Sequence, residues 1–173
     1  MSFLELMRTR RSFRVFAQTP VTDEQIDILK ETALRAPSGR SLEPWRFVFV
    51  RDTRLITKLA SCKAHGSQLL AGASLAVVVC AEESATDVWI EDCSIAAFAM
   101  QAAAHDLGLG SCWVQVRLRE TSDGTSSEAF VKKTLGIVDA GLRVLCVIAV
   151  GVPCEKKNHR LPSTLDFEKI GDM

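Results

Sequence analysis

The sequence lacks the features that mark several large classes of protein. Its 21 lysines and arginines are balanced by 21 aspartates and glutamates, and a net charge of zero argues against general affinity for nucleic acid or acidic membranes. No apolar run reaches the roughly 18 residues that a membrane span needs. The N-terminal stretch MSFLELMRTRRSF has no apolar signal-peptide core. We therefore expect a soluble, cytoplasmic protein that binds neither nucleic acid nor a membrane.

Common motifs of metal, nucleotide and hydrolytic sites are absent as well. None of the six cysteines forms a C-x-x-C pair and the three histidines are scattered, so we expect neither a zinc site nor disulfides. The G-x-G at Gly108–Gly110 follows a predicted helix and precedes a strand, the reverse of the order in a dinucleotide fingerprint. There is no P-loop and no G-x-S-x-G. An enzyme that lacks all of these motifs would take its chemistry from an organic cofactor.

What remains is a chain with enough apolar sequence for one domain. It has 173 residues, of which 47% are hydrophobic, so a substantial core is expected. The patterns predict helices over 3–10, 22–36, 53–59, 90–107 and 127–135, and strands over 45–50, 75–81, 111–116 and 143–150. The second helix opens with a capping-box pattern at Thr22, and Thr53 can cap the third. This alternation favours an α+β or α/β sandwich. The alanine-rich helix over 90–107 is apolar nearly all round, which predicts a central buried helix. Its small residues would admit a neighbouring helix of the same chain or of a second copy.

Positive charge is concentrated near the N-terminus. Arg8, Arg10, Arg11 and Arg14 lie within seven positions of one another, with Ser12 at their centre. Guanidinium groups match phosphate oxygens in pairs, and a serine hydroxyl adds a donor. Charge alone leaves two interpretations open, a specific anion site or a solvated end of the first helix.

Four separate stretches, taken in order, resemble one family. They are RRSFRVF at 10–16, APS to EPWRF at 36–47, the alanine-rich helix running into GLGSCW at 108–113, and AVGVP to RLP at 149–162. Together they resemble the signatures of the FMN-dependent nitroreductase family, and they span nearly the whole chain. The resemblance implies one domain over 1–173 with an α+β, nitroreductase-like three-layer sandwich, in which helices flank a mostly antiparallel sheet. It also implies an intertwined homodimer, with FMN at the interface and the tail 154–173 embracing the partner.

The resemblance also implies which residues hold the phosphate end of FMN. The matching phosphate contacts are Arg10, Arg11, Ser12 and Arg160, with Lys157 as a nearby basic contact. Arg14 matches a residue near the pyrimidine edge of the flavin, where a fixed guanidinium would raise the reduction potential. No side chain is implied to act as an acid or base.

The ring contacts are implied to come from two further segments. Pro37, Ser38 and Gly39 match positions that approach the flavin from the partner subunit, and Ser41 belongs to the same segment. Trp113, Val114 and Gln115 match the strand end that lies along the ring, with a backbone N–H for the N5 and O4 edge. Ser41 and Glu43 replace amides that the family commonly carries. A further ring contact within 63–68 stays unassigned. Trp45 is predicted to pack in the core, whereas Trp113 suits packing and flavin contact equally well.

The implied activity is ping-pong electron transfer. NADH or NADPH gives a hydride to flavin N5 and leaves, and a nitroaromatic, quinone or similar small acceptor takes its place. Two alternatives stay open, a specialised enzyme of the same scaffold (flavin fragmentation or reductive dehalogenation) and a flavin-binding storage or sensor protein. A third, a scaffold without cofactor, requires the arginines to be merely solvated. Only 82–88 joins the second strand to the long helix, where many relatives insert a helical lid, so another segment must cover the flavin or its face is open.

Overall fold

The computed structural model describes residues 2–172, and these contain one four-stranded sheet. The strands are β1 (Trp45–Val50), β2 (Leu75–Glu82), β3 (Gly110–Gln115) and β4 (Leu142–Gly151). Their order is β1-β2-β4-β3, and every neighbouring pair is antiparallel. The predicted strands are all present, within one or two residues of their expected ends. β1 and β3 form the two edges of the sheet.

Five α-helices lie within the described residues. They are α1 (Phe3–Thr9), α2 (Asp23–Leu34), α3 (Thr53–Leu59), α4 (Trp89–Asp106) and α5 (Ser127–Leu135). Short 3-10 turns follow at Gly39–Ser41, Gln68–Gly72, Glu83–Ala85, Pro162–Thr164 and Phe167–Lys169. The capping box predicted at Thr22 is present at the start of α2. Asp52 caps α3 in place of the predicted Thr53, because its carboxylate accepts from two backbone N–H groups.

Helices cover both faces of the sheet. Leu75, Val77 and Val79 of β2 face a layer that contains α2 and α4. The alternate residues Ala76 and Val78 face a layer that contains α3 and α5. This alternation follows from the two-residue period of a strand, and the continuous apolar run of β2 reflects burial on both sides. The predicted three-layer α+β sandwich is confirmed. Trp45 is buried in the core, as expected.

The surroundings of α4 are only partly filled within one chain. Ala96, Ala97 and Met100 pack into the core, but Ile95 is 45% exposed and Phe98 is partly exposed. Together with α1 and α2, this side of α4 borders an open, mainly apolar groove of about 520 Å³. The helix is therefore not buried all round within one chain. An apolar pattern shows that a helix face avoids water but does not say which molecule covers it.

The tail from Cys154 onward adds little to the core. Leu161, Leu165, Phe167 and Ile170 all have large apolar side chains that are between 43% and 64% exposed.

The five α-helices described within residues 2–172 include no candidate for a membrane-spanning segment, because none combines sufficient length with sufficient hydropathy.

The cysteines generate a first prediction. Cys80, Cys93 and Cys146 lie in the core, and burial raises the pKa of Cys80 and of Cys93 to about 12. Cys154, by contrast, is exposed. At pH 7.5 to 8, a chromogenic disulfide reagent should titrate Cys154 rapidly and the buried thiols only after unfolding. Cys154→Ser should abolish the fast phase, and a fast phase that survives this change would contradict the burial pattern.

A second prediction concerns close packing at the start of β3. A Cβ atom added at Gly110 would lie 2.9 Å from Phe13 Cβ, so Gly110→Ala must displace the segment that carries Phe13. We expect a loss of about 1–3 kcal/mol in the free energy of unfolding, measured by urea titration. Gly72→Ala is the matched control, because a Cβ there would meet no atom within 4 Å. Equal effects of the two substitutions would argue against this packing.

Candidate functional site

The segment after α1 is held against the sheet by main-chain hydrogen bonds. Phe13 N–H donates to the Ser111 carbonyl at 3.0 Å, and Ala17 N–H donates to the Val152 carbonyl at 2.9 Å. In return, Cys154 N–H donates to the Val15 carbonyl at 2.9 Å. The arginine-rich segment 10–14 is thereby placed beside the start of β3 and the end of β4.

The outer edge of β3 presents backbone groups beside this segment. The Ser111 carbonyl accepts from Phe13 and so points away from β4. Because backbone direction alternates along a strand, the N–H and C=O groups of Trp113 and Gln115 point the same way. Val116 belongs to the alternate set, whose backbone groups point toward β4, and its N–H donates to the Leu145 carbonyl of that strand. The backbone of Val114 points toward β4 in the same way, so the outward donors belong to Trp113 and Gln115.

Side-chain hydrogen bonds fix the two outward residues. The Trp113 indole N–H donates to Gln115 Oε1 at 2.9 Å. The Gln115 amide in turn donates to the Arg117 carbonyl at 3.0 Å. Trp113 also packs against the core layer on the α2 and α4 side, while remaining partly exposed. This arrangement makes the end of β3 a rigid surface with backbone donors along its edge.

Several charged side chains act on the Cys112 thiol of β3. Burial raises the pKa of the Cys112 thiol, the positive charges of Arg14, Lys63 and Arg10 act to lower it, and Glu155 acts to raise it. Lys63 comes from the loop after α3, which the hydrogen bond from Ala64 N–H to the Glu120 carbonyl holds in place. Lys63 lies in the segment that the sequence left unassigned.

The two ends of the polypeptide also meet near the end of α4. His105 Nε2 is 2.8 Å from Thr9 Oγ1, and burial together with the charges of Arg10 and His159 lowers the His105 pKa. Arg11 donates to the Asn158 carbonyl. The predicted phosphate contacts from the N-terminus therefore lie beside tail residues 158–159.

Two more predicted residues belong to the tail. Lys157 Nζ lies 2.6 Å from Glu155 Oε2. Arg160 Nη2 donates to the Thr164 carbonyl at 3.2 Å, within the tail itself. Lys157 also lines a cavity of about 440 Å³ together with His159.

The loop that carries Pro37 to Ser41 is anchored to the opposite end of α4. Gly39 N–H donates to Asp92 Oδ1 at 2.8 Å, and Glu43 N–H donates to Ser38 Oγ at 3.0 Å. A side chain at Gly39 would collide with Val88, whose Cγ2 would lie 2.9 Å from the new Cβ. Asp92 is buried, and its Oδ2 has no hydrogen-bond partner within residues 2–172.

This loop holds an unusual concentration of backbone strain. Arg40, Ser41 and Glu43 have φ angles of 54°, 53° and 47°, a region that costs a non-glycine residue about 1–3 kcal/mol. Arg40 is tied to the connection before α4 by a 2.9 Å ion pair with Asp87. Strain of this kind persists where surrounding contacts enforce it, and it clusters at functional sites.

The predicted residues therefore form two groups that one chain does not bring together. Asp92, which anchors the loop, and His105, which neighbours Arg10, are 13 residues apart on α4. At 1.5 Å per residue this corresponds to about 20 Å along the helix axis. The first group contains Arg10, Arg11, Ser12, Arg14, Trp113, Gln115 and Lys157. The second contains Pro37, Ser38, Gly39 and Ser41.

Sequence reasoning missed three residues of the site region. Asp92 had no distinctive signal, because the first turn of α4 also carries Glu91 and acidic residues are common at that end of a helix. Lys63 and Glu155 had none, since only folding brings their charges near Cys112.

Comparisons with known proteins agree with this architecture. The model of the Nitroreductase family matches residues 7–65 and 61–152. A candidate NADH dehydrogenase/NAD(P)H nitroreductase of Archaeoglobus fulgidus is 35% identical over 159 residues, which cover 90% of this chain and 87% of that protein. An FMN-dependent nitroreductase from Clostridium difficile superposes with a TM-score of 0.95 at 37% identity, covering 98% of both chains.

A third relative was solved with the cofactor. A candidate nitroreductase from Desulfovibrio desulfuricans, in complex with FMN, has a TM-score of 0.79 at 26% identity and covers 98% of this chain and 95% of its own. The family model covers most of the sequence, and the relatives match the fold along its length. The chain thus belongs to the nitroreductase family and is a flavin-dependent oxidoreductase.

Proposed function

We propose that this protein is an FMN-dependent NAD(P)H oxidoreductase that reduces nitroaromatics, quinones or similar electron-poor acceptors. The observation that carries the proposal is the arginine segment 10–14 docked at the free edge of β3. It combines cationic forks for a phosphate with backbone donors for a flat heterocycle. Its relatives include an FMN-dependent enzyme and a protein in complex with FMN.

The residues at the phosphate end suit a mononucleotide. A phosphate with nearly two negative charges is stabilised by two or three cationic groups. Arg10 and Arg11 would supply guanidinium forks and Ser12 a hydroxyl. Arg11 uses one N–H on the Asn158 carbonyl, which leaves further donors of its five. Arg160 would join them from the tail.

The residues at the other end suit the flavin ring. Trp113 and Gln115 offer outward N–H groups that would orient the N5 and O4 edge. The positive charges of Arg14 and Lys63 both act on Cys112 of β3, and positive charge there would favour the negative charge that a cofactor gains on reduction. When bound, FMN supplies hydride acceptance at N5 and onward transfer of electrons to the acceptor. The chain's own residues would bind FMN, orient its ring and tune its reduction potential, and solvent would deliver the protons.

We further propose that the site is shared between two copies of the chain. The loop 37–41 lies about 20 Å along α4 from the arginine group, so in this arrangement it would serve the partner's FMN. The open apolar groove beside α4 and the exposed tail would supply the buried contacts of a homodimer. The unpartnered Asp92 Oδ2 lies near the loop that would enter the partner's site.

NADH and NADPH are cytoplasmic reductants, so this reaction implies a cytoplasmic location.

A direct test of the function follows the cofactor's colour. The purified protein incubated with FMN should be yellow, and anaerobic NADH or NADPH should bleach it within the time of one turnover. Nitrofurazone or menadione should then restore the colour, and steady-state rates should give the parallel lines of ping-pong kinetics. A colourless protein would refute the proposal. Slow reduction by both nicotinamides would favour a storage or sensor protein, and fast reduction without acceptor turnover would favour a specialised enzyme.

The proposed phosphate contact of Arg10 gives a further prediction. Arg10→Ala should weaken FMN binding by about tenfold or more, because it removes a charged hydrogen-bond donor, while riboflavin affinity stays nearly unchanged. Fluorescence quenching of the two flavins measures both constants. Arg8→Ala is the matched control, since it removes a nearby exposed arginine outside the proposed site.

Mixing variants then tests whether one site uses two chains. Gly39→Ala should damage the loop that serves the partner's cofactor. A mixed dimer of Arg10→Ala and Gly39→Ala chains would hold one doubly damaged site and one intact site, so co-refolding should recover tight FMN binding that neither variant shows alone. No recovery, or a holo-monomer by light scattering, would overturn the shared-site arrangement.

A further inference from the structure

Glu155 contacts two of the segments that the proposed function uses. Its Oε1 accepts from the backbone N–H of Arg14 at 2.6 Å and from that of Val15 at 3.3 Å. Its Oε2 lies 2.6 Å from Lys157 Nζ. The Glu155 and Lys157 side chains are 20% and 29% exposed.

The Glu155 carboxylate accepts hydrogen bonds from backbone N–H groups that have no main-chain partner in the part of the chain that the structure describes. Cys154 N–H donates to the Val15 carbonyl, and no backbone acceptor within the described residues serves the N–H groups of Arg14 and Val15. A carboxylate that accepts two backbone N–H groups makes charge-assisted bonds, which are stronger than neutral ones. The Lys157 ammonium and the Arg14 N–H hold the Glu155 pKa below its ordinary value, so the side chain is charged at neutral pH.

The Arg14 side chain has no comparable anchor of its own. It is exposed, and no hydrogen bond or ion pair of its guanidinium occurs within residues 2–172. The Cα–Cβ bond from which this side chain extends is fixed by the backbone at residue 14, which the Glu155 carboxylate holds.

We propose that Glu155 is a positioning residue that aims Arg14 at the flavin and so helps to set the reduction potential of the bound cofactor. The inference rests on the proposed function. The sign of the shift in reduction potential distinguishes this positioning role from a simple charge effect. Removing an anion near the flavin would by itself make the potential more positive, whereas losing the aim of the Arg14 guanidinium would make it more negative.

The experiment compares wild type, Glu155→Ala, Glu155→Gln, Arg14→Ala and the Glu155→Ala/Arg14→Ala double variant, each loaded with FMN. Binding constants come from fluorescence titration, and midpoint potentials come from equilibration with reference dyes. Asp166→Ala is the matched control, because it removes another tail carboxylate that pairs with a lysine, Lys169.

Glu155→Ala should weaken FMN binding by about tenfold and shift the midpoint potential to a more negative value. Glu155→Gln, which keeps an oxygen for the two N–H groups, should recover most of the wild-type potential. In the Arg14→Ala background, Glu155→Ala should cause no further shift, since residues that act through one another are not additive. The Asp166→Ala potential should equal that of wild type.

Four results would overturn the inference. A positive shift that persists without Arg14 would identify a charge effect, and unchanged potentials with a lower melting temperature would identify a purely structural role. A wild-type protein that binds no FMN would remove the proposed function and this inference together. If wild type binds FMN and Glu155→Ala is indistinguishable from it, only the role of Glu155 fails.

Discussion

The site region depends on main-chain pairing that brings the two ends of the polypeptide to one edge of the sheet. Phe13 pairs with Ser111, Ala17 with Val152, and Cys154 with Val15. These bonds join segments that are far apart in sequence, so their entropic cost is met only when β3 and β4 are already in place. Positive side chains from both ends then gather beside a strand edge with outward donors. The proposed anion site is a consequence of that pairing.

α4 separates the two halves of the candidate site. One end of the helix holds the strained loop through Asp92, and the other end lies beside Arg10 through His105. The helix is rigid, so neither half can move toward the other within a chain. The strain at Arg40, Ser41 and Glu43 is retained because the Asp92 and Ser38 hydrogen bonds and the Arg40 ion pair enforce it. A cofactor that uses both halves calls for a second copy of the chain.

Much of the fold could be predicted because local signals agreed with the global arrangement. The capping box at Thr22, the apolar run of β2 and the alternation in β1 marked their elements within a residue or two. The prediction for α4 left open whether the same chain or a second copy covers it, and one side of the helix is open within a single chain, because an apolar pattern does not say which molecule covers a face. The cap of α3 was misplaced by one residue, where Asp52 competed with Thr53. Such errors arise where neighbouring residues are chemically able to fill the same role.

The sequence by itself determined the element order, the buried faces and the family, because periodicity and ordered motifs are local properties that survive without coordinates. It also determined that arginines concentrate near residue 10. Only the tertiary structure decided which of Trp113, Val114 and Gln115 turn their backbone outward, since that phase depends on the pairing of β3 with β4. It also decided that Glu155 holds Arg14 and that Asp92 holds Gly39. Contacts across more than 50 residues depend on how layers stack, and no local pattern encodes that stacking.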